Sequence, residues 1–203
     1  MRPTPLFHAL AGGAAALLLV VTLGAKTQDE GGGEMADMMA KMVELTKTGE
    51  KHAFLGKLIG TWDTEMRFTM PGMEGMPPEK GTSEVSWLIE GRWLQTQGTG
   101  SMMGRPMQNF SVMGYDTFKQ SFRVMMVNSI DNAMLVSEGD LTQDEKVLIT
   151  YGTLDEYLTG EHDKMVKYVW RFLSEDEHVL EVHDLPIGET NTKVFEIRAK
   201  RRK

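Results

Sequence analysis

The sequence predicts an all-β protein, an up-and-down antiparallel β-barrel of about eight to ten strands behind a short N-terminal helical segment. Three observations carry this prediction. From residue 60 onward, apolar and polar side chains alternate with period two, the spacing of a strand with one buried face. Each run ends in turn chemistry. None is followed by a long segment of helical period. Closing such a sheet removes its exposed edges; an open, strongly curved sheet folded over the helical segment is the alternative.

Composition bounds the rest. The 203 residues suit one domain with a leader and a connector. With 41% apolar and 25% charged residues, the chain can bury a full core. A net charge of -7 opposes nucleic-acid binding, which needs a basic surface. The absence of cysteine excludes disulfides, thiolate metal sites, cysteine nucleophiles and a lipoprotein anchor.

Residues 1–25 read as a signal peptide: Arg2 supplies the positive start, 9–23 the apolar run, and Thr22, Gly24 and Ala25 the small residues near a cleavage point. The competing reading is an uncleaved anchor, for which the run is short against the roughly 20 residues a span needs. A periplasmic or extracellular protein is therefore expected. Residues 26–34, ending in Gly31-Gly32-Gly33, read as a flexible linker. Residues 35–59 read as a helical lead-in, with Met35, Met38, Met39, Met42, Val43 and Leu45 near i, i+3, i+4 spacing. Gly49 divides it, and Ala53, Phe54, Leu55, Leu58 and Ile59 make the second helix amphipathic, suited to capping one barrel end. The barrel domain spans 60–203. Its strands are expected at 61–70, 81–88, 92–100, 108–115, 121–127, 133–140, 146–151, 164–173, 178–185 and 193–201. The stretch 81–100 shows the plan. With Glu90-Gly91 as a tight turn, Ile89 would pair with Arg92, Trp87 with Leu94 and Val85 with Thr96. Val85, Trp87, Ile89 and Leu94 then form a core face, and Glu84, Ser86, Leu88, Trp93, Gln95 and Gln97 the opposite, mixed face.

Gly60-Thr61-Trp62 at the start of the first strand resembles the Gly-x-Trp signature of lipocalins and other calycins. That resemblance implies a Trp at the barrel base covered by an Arg from the last strand, and Arg198 is positioned for the role. The chain from His52 onward also resembles a bacterial family known only as a domain of unknown function with a calycin-like barrel. The matching pieces are His52, Leu55 and Leu58 before Gly60 and Trp62; Gly91-Arg92-Trp93-Leu94; Met102-Met103-Gly104; Gly114-Tyr115-Asp116 with Lys119; Gly152-Thr153; and Lys193-Val194 with Glu196. The resemblance implies a fold and no particular activity.

No motif organises a reaction, so a non-enzymatic protein is expected: there is no Gly-x-Ser-x-Gly elbow, phosphate loop or dinucleotide fingerprint. Asp131, Asp140, Asp155 and Asp184 show no pairing in the sequence. No cofactor is expected, but two kinds of residue keep one in view. Met70, Met73 and Met76 form a Met-x-x-Met-x-x-Met run whose thioethers suit Cu(I), although methionine more often fills space. His178 and His183 lie five apart and point to opposite faces of a strand, so they cannot share a metal. His183 is the candidate single axial ligand for a haem, a weaker reading than an ordinary hydrogen-bonded strand histidine. Trp87, Trp93, Gln95, Tyr115, Tyr168, Trp170 and Arg171 are the candidate ligand-binding residues: aromatic rings with a placed cation would suit a carboxylated or extended apolar ligand. A barrel filled by its own side chains, working as an envelope interaction protein, is the alternative.

Overall fold

The computed structural model describes residues 31–73, 75–156, 160–185 and 192–203. The expected signal peptide and the first half of the expected linker lie outside the described residues. Residues 31–34, expected as linker, belong instead to α1 (Gly31–Leu45). The helical spacing from Met35 extends backward by a turn, helped by Glu34 at the positive end of the helix dipole. Along α1 the apolar side chains from Met35 to Leu45 are exposed. Among the described residues, no helix is long and apolar enough to cross a membrane.

Residues 47–203 form a second compact unit. It begins with α2 (Glu50–Gly56) and continues through β1 (Gly60–Phe68), β2 (Glu79–Ile89), β3 (Trp93–Met102), β4 (Arg105–Asp116) and β5 (Ser121–Asn128). β6 (Leu135–Leu141), β7 (Val147–Glu156), β8 (Glu161–Ser174), β9 (Glu177–Asp184) and β10 (Thr192–Arg201) complete it. Each strand pairs antiparallel with its sequence neighbour, and β1 pairs with β10, so the ten strands form a closed barrel. The all-β, up-and-down barrel read from the sequence is the observed fold, and each expected strand is present.

The β2–β3 hairpin shows where the local reading departs. Trp87 pairs with Leu94 and Val85 with Thr96 as expected, but Ile89 pairs with Trp93 across a register shift. The turn takes in Arg92, whose N–H donates to the Ile89 carbonyl at 3.0 Å. Gly91 holds φ at 67°, in the left-handed region where a side chain is costly. The extra residue rotates Ile89 out of the core face and leaves it 54% exposed.

The core has two centres. The larger gathers Phe54 and Leu55 of α2 with Trp62, Val85, Leu94, Phe122, Leu141, Leu148 and Ala199. The smaller joins Val166, Tyr168 and Val182. β6 and β7 cross closely at Gly139, where a Cβ would stand 1.9 Å from the Ile149 carbonyl oxygen, so only glycine fits. Beside it the buried hydroxyls of Ser137 and Thr150 satisfy each other at 2.9 Å.

α2 plugs one barrel end. His52 accepts the Gly49 N–H at 3.2 Å on its Nδ1, so the third residue of the helix caps its N-terminus from within the first turn. Its ring meets Tyr115 edge-on at 5.7 Å. Phe54 sits edge-on to Phe172 at 5.0 Å and to Phe122 at 6.0 Å. Lys57, just past the helix, reaches Glu145 of the β6–β7 turn at 2.5 Å.

The barrel closes through Trp62, 2% exposed, whose indole N–H donates to the Leu58 carbonyl at 3.0 Å. The cation over its ring is Arg201, at 4.2 Å, and not Arg198. Arg201 is the direct partner of Trp62 in the β1–β10 register, whereas Arg198 lies opposite Glu65. Arg198 belongs to the outward face, is exposed, and pairs with Glu177 at 2.5 Å. Arg201 also donates to the carbonyls of Ile59 at 2.5 Å, Lys57 at 2.9 Å and Glu175 at 2.9 Å. One guanidinium thus ties the last strand to the end of α2 and to the β8–β9 turn.

Candidate functional site

Alternation along each strand sends one residue in two into the barrel, and closure turns those faces toward one another. They do not fill the space. A cavity of about 190 Å³ remains inside. Its apolar wall is built from Met66 of β1, Val85 of β2, Leu94 of β3, Met113 of β4, Val124 and Met126 of β5, Trp170 of β8, Leu180 of β9 and Ile197 of β10. Its polar residues lie on adjacent strands: Thr64 on β1, Glu79 and Ser83 on β2, Thr96 on β3, Asn109 and Ser111 on β4. Gly98 on β3 leaves room for the Asn109 amide, since a Cβ there would lie 2.2 Å from the Asn109 oxygen.

Two buried polar atoms on this wall have no hydrogen-bond partner within the protein: Glu79 Oε2 and His178 Nδ1. His178 faces inward on β9, with its ring 4.6 Å from that of Trp62. Burial, with the Arg201 charge adding to it, pushes its pKa down to about 4, so the ring is neutral at neutral pH. Burial is likewise the main reason that the pKa of His52 in the plug is lowered, with the Arg92 charge second.

Of the candidate ligand residues, Trp170 lines the cavity. Trp87 and Tyr115 are half-buried and pack against the core next to α2. Tyr168 is buried in the smaller core cluster, where burial pushes its phenol up to about 12. Trp93, Gln95 and Arg171 occupy the outer surface. Trp93 covers the backbone of Gly114, Gln95 donates to Ser86 Oγ at 3.2 Å, and Arg171 pairs with Glu181 at 3.1 Å. Each of the three adjoins an inward neighbour in sequence, and alternation sets it outside. His183 also faces outward, 3.3 Å from Glu181, so it is not placed to hold a haem in the lumen. His178 and His183 lie on opposite faces as expected. Met70, Met73 and Met76 lie in the β1–β2 loop, where backbone turns link Met70 to Met73 and Met73 to Met76. Met66 turns into the lumen instead. Asp155 meets His162 at 3.2 Å, and Asp184 meets Lys164 at 2.9 Å. Among the described residues no group of three His, Asp or Glu is placed to hold a metal ion.

The sequence reading passed over Glu79, Ser83, Asn109 and the inward methionines. A signal existed: Met107, Asn109, Ser111 and Met113 alternate along β4 and all face the cavity. A larger depression, about 740 Å³, lies outside the barrel across β10, β1, β2 and β3. Outward-facing side chains such as Asp63, Glu65, Lys80, Arg198 and Lys200 line it, and several are held in ion pairs, Arg198 with Glu177 and Asp63 with Arg202. It is open and lacks an apolar wall, so the lumen is the better candidate site.

A closed ten-stranded antiparallel barrel with a helix packed at its base and an internal cavity is a calycin-like barrel. Residues 47–201 match the family described as "Protein of unknown function (DUF1579)", and the chain belongs to that family. No curated protein matches the sequence. Among solved structures, the chain is similar to the crystal structure of Rv2717c from M. tuberculosis, with a TM-score of 0.56 at 10% identity. That match covers 77% of this chain and 100% of the other. It is also similar to the S-type phycobiliprotein lyase CPES from Guillardia theta, with a TM-score of 0.49 at 11% identity, over 80% of this chain and 97% of that one. At such identities the Rv2717c match supports the fold alone.

Proposed function

We propose that the chain is an exported, non-catalytic binding protein that holds one small, mostly apolar molecule inside its barrel. The observation that carries this is the 190 Å³ lumen, walled by thioether, aliphatic and indole groups. Eight strands enclose an interior that side chains just fill, and ten enclose more. An apolar cavity of about 150 Å³ takes a benzene ring, so this one suits a single ring or a short alkyl chain. Met66, Met113 and Met126 add flexible, polarizable contacts that adapt to shape. The aromatic plug around Phe54 packs against Phe122 and Phe172 at the base.

Benzyl alcohol is a suitable probe. Titration calorimetry should show one site per chain. Ser111→Trp, which fills the lumen from β4, should weaken binding at least about tenfold, or 1.4 kcal/mol, at an unchanged melting temperature. Equal affinity in both proteins would place the probe elsewhere and overturn the reading. Export is tested separately: a mature chain beginning near Gly24 to Thr27 is expected on amino-terminal sequencing, and an intact Met1 in a membrane fraction would contradict it.

A further inference from the structure

We propose that the lumen selects a cationic amphipathic ligand, a small amine with its ammonium group at Glu79 and its apolar body toward Trp170. This rests on the lumen being the binding site. Glu79 opens β2, opposite Met66, at the barrel end away from the α2 plug. Its Oε1 accepts the Gly104 N–H at 3.1 Å. Gly104 sits in the tight β3–β4 turn, with φ 73° after Met103 at 51°, so a rigid turn fixes the carboxylate. Its Oε2 is buried on the cavity wall with no partner in the protein. A buried acceptor without a donor is costly, and a carboxylate more so than a neutral group. A ligand ammonium would supply the donor and the opposite charge together.

The other charges are consistent with this sign. Lys80, beside Glu79, is exposed and lies opposite Glu65 in the outward-facing register. Lys164, also at this end, is held by Asp184 at 2.9 Å and Glu161 at 3.7 Å. Arg171, the cation that would have suited a ligand carboxylate, lies outside. Lys80 borders the cavity but belongs to the outward-facing register, so an anionic ligand would meet Glu79 with no inward-facing cation among the described lining residues to offset the repulsion.

The test uses three single-ring probes of similar size: benzylamine, benzyl alcohol and benzoate, titrated at pH 7 and low salt. Benzylamine should bind about tenfold or more tighter than benzyl alcohol, the step from a neutral to a charge-assisted hydrogen bond. Benzoate should bind weakest. Glu79→Gln keeps the shape and the acceptor for Gly104, and should abolish the preference for the amine over benzyl alcohol. Benzoate binding as tightly as benzylamine, or an amine preference that survives Glu79→Gln, overturns the proposal. The wild-type ranking decides the sign even if the variant does not fold. Alcohol binding with no gain for the amine removes the charge assignment alone. No binding by any probe removes the lumen reading along with it.

Discussion

Trp62→Ala is expected to destabilise the barrel by roughly 3–5 kcal/mol, the cost of deleting a buried aromatic side chain. Three losses coincide at this position. The ring leaves a cavity in the larger core cluster. The Leu58 carbonyl loses its donor. Arg201 loses the face it covers at 4.2 Å, a contact of about 0.5–2 kcal/mol. Arg201→Ala should cost about 2–4 kcal/mol, because it also strands the carbonyls of Ile59, Lys57 and Glu175. The double variant should lose less than the sum, since the two side chains touch. Arg201→Lys should recover little, for an ammonium has neither the planar surface nor the fork of donors. Arg198→Ala should stay within about 1 kcal/mol of wild type, as expected for an exposed ion pair. Urea unfolding of this set tests the closure, and an Arg198 variant as damaging as the Arg201 one would contradict it.

Acid should weaken the fold through His178. Its pKa in the folded protein is about 4, below the ordinary value of 6.5. Between those values the unfolded chain takes up a proton that the folded chain refuses. The contribution is therefore complete above pH 6.5 and falls away as the pH drops toward 4. Its size is roughly 2–4 kcal/mol. His52 acts in the same direction. His178→Phe keeps a ring against Trp62 and removes an imidazole nitrogen that has no partner. It should cost little at pH 7 and flatten the decline between pH 6.5 and 4. Equal pH dependence in the two proteins, measured as urea midpoints, would contradict this account.

Much of the barrel was legible because alternation and turn chemistry are local. Antiparallel hairpins joined by short turns need no long-range information, so the strands could be read in order. The separation of His178 from His183 followed from parity alone. Parity also held more than the resemblance used: Phe195, Ile197, Ala199 and Arg201 share one face, and Arg198 sits on the other. Parity likewise puts Trp93 on the face opposite Leu94 and Arg171 opposite Trp170; what it leaves open is that this mixed face is the outside of the barrel. Glu79 escapes the sequence reading because the strand is expected to begin at Gly81, whereas β2 begins at Glu79. The cavity itself was not legible. It depends on which side chains meet across ten strands and on the room left by Gly98, and period two says only which way a residue points.

The most direct test of the central claim, that the lumen is a ligand site, is a crystal structure of the protein with benzyl alcohol. The account predicts the ring inside the barrel, among Met113, Val124, Trp170 and Leu180. A probe found only in the outer depression between Lys80 and Arg198, with the lumen taken up by rearranged methionine side chains, would contradict it.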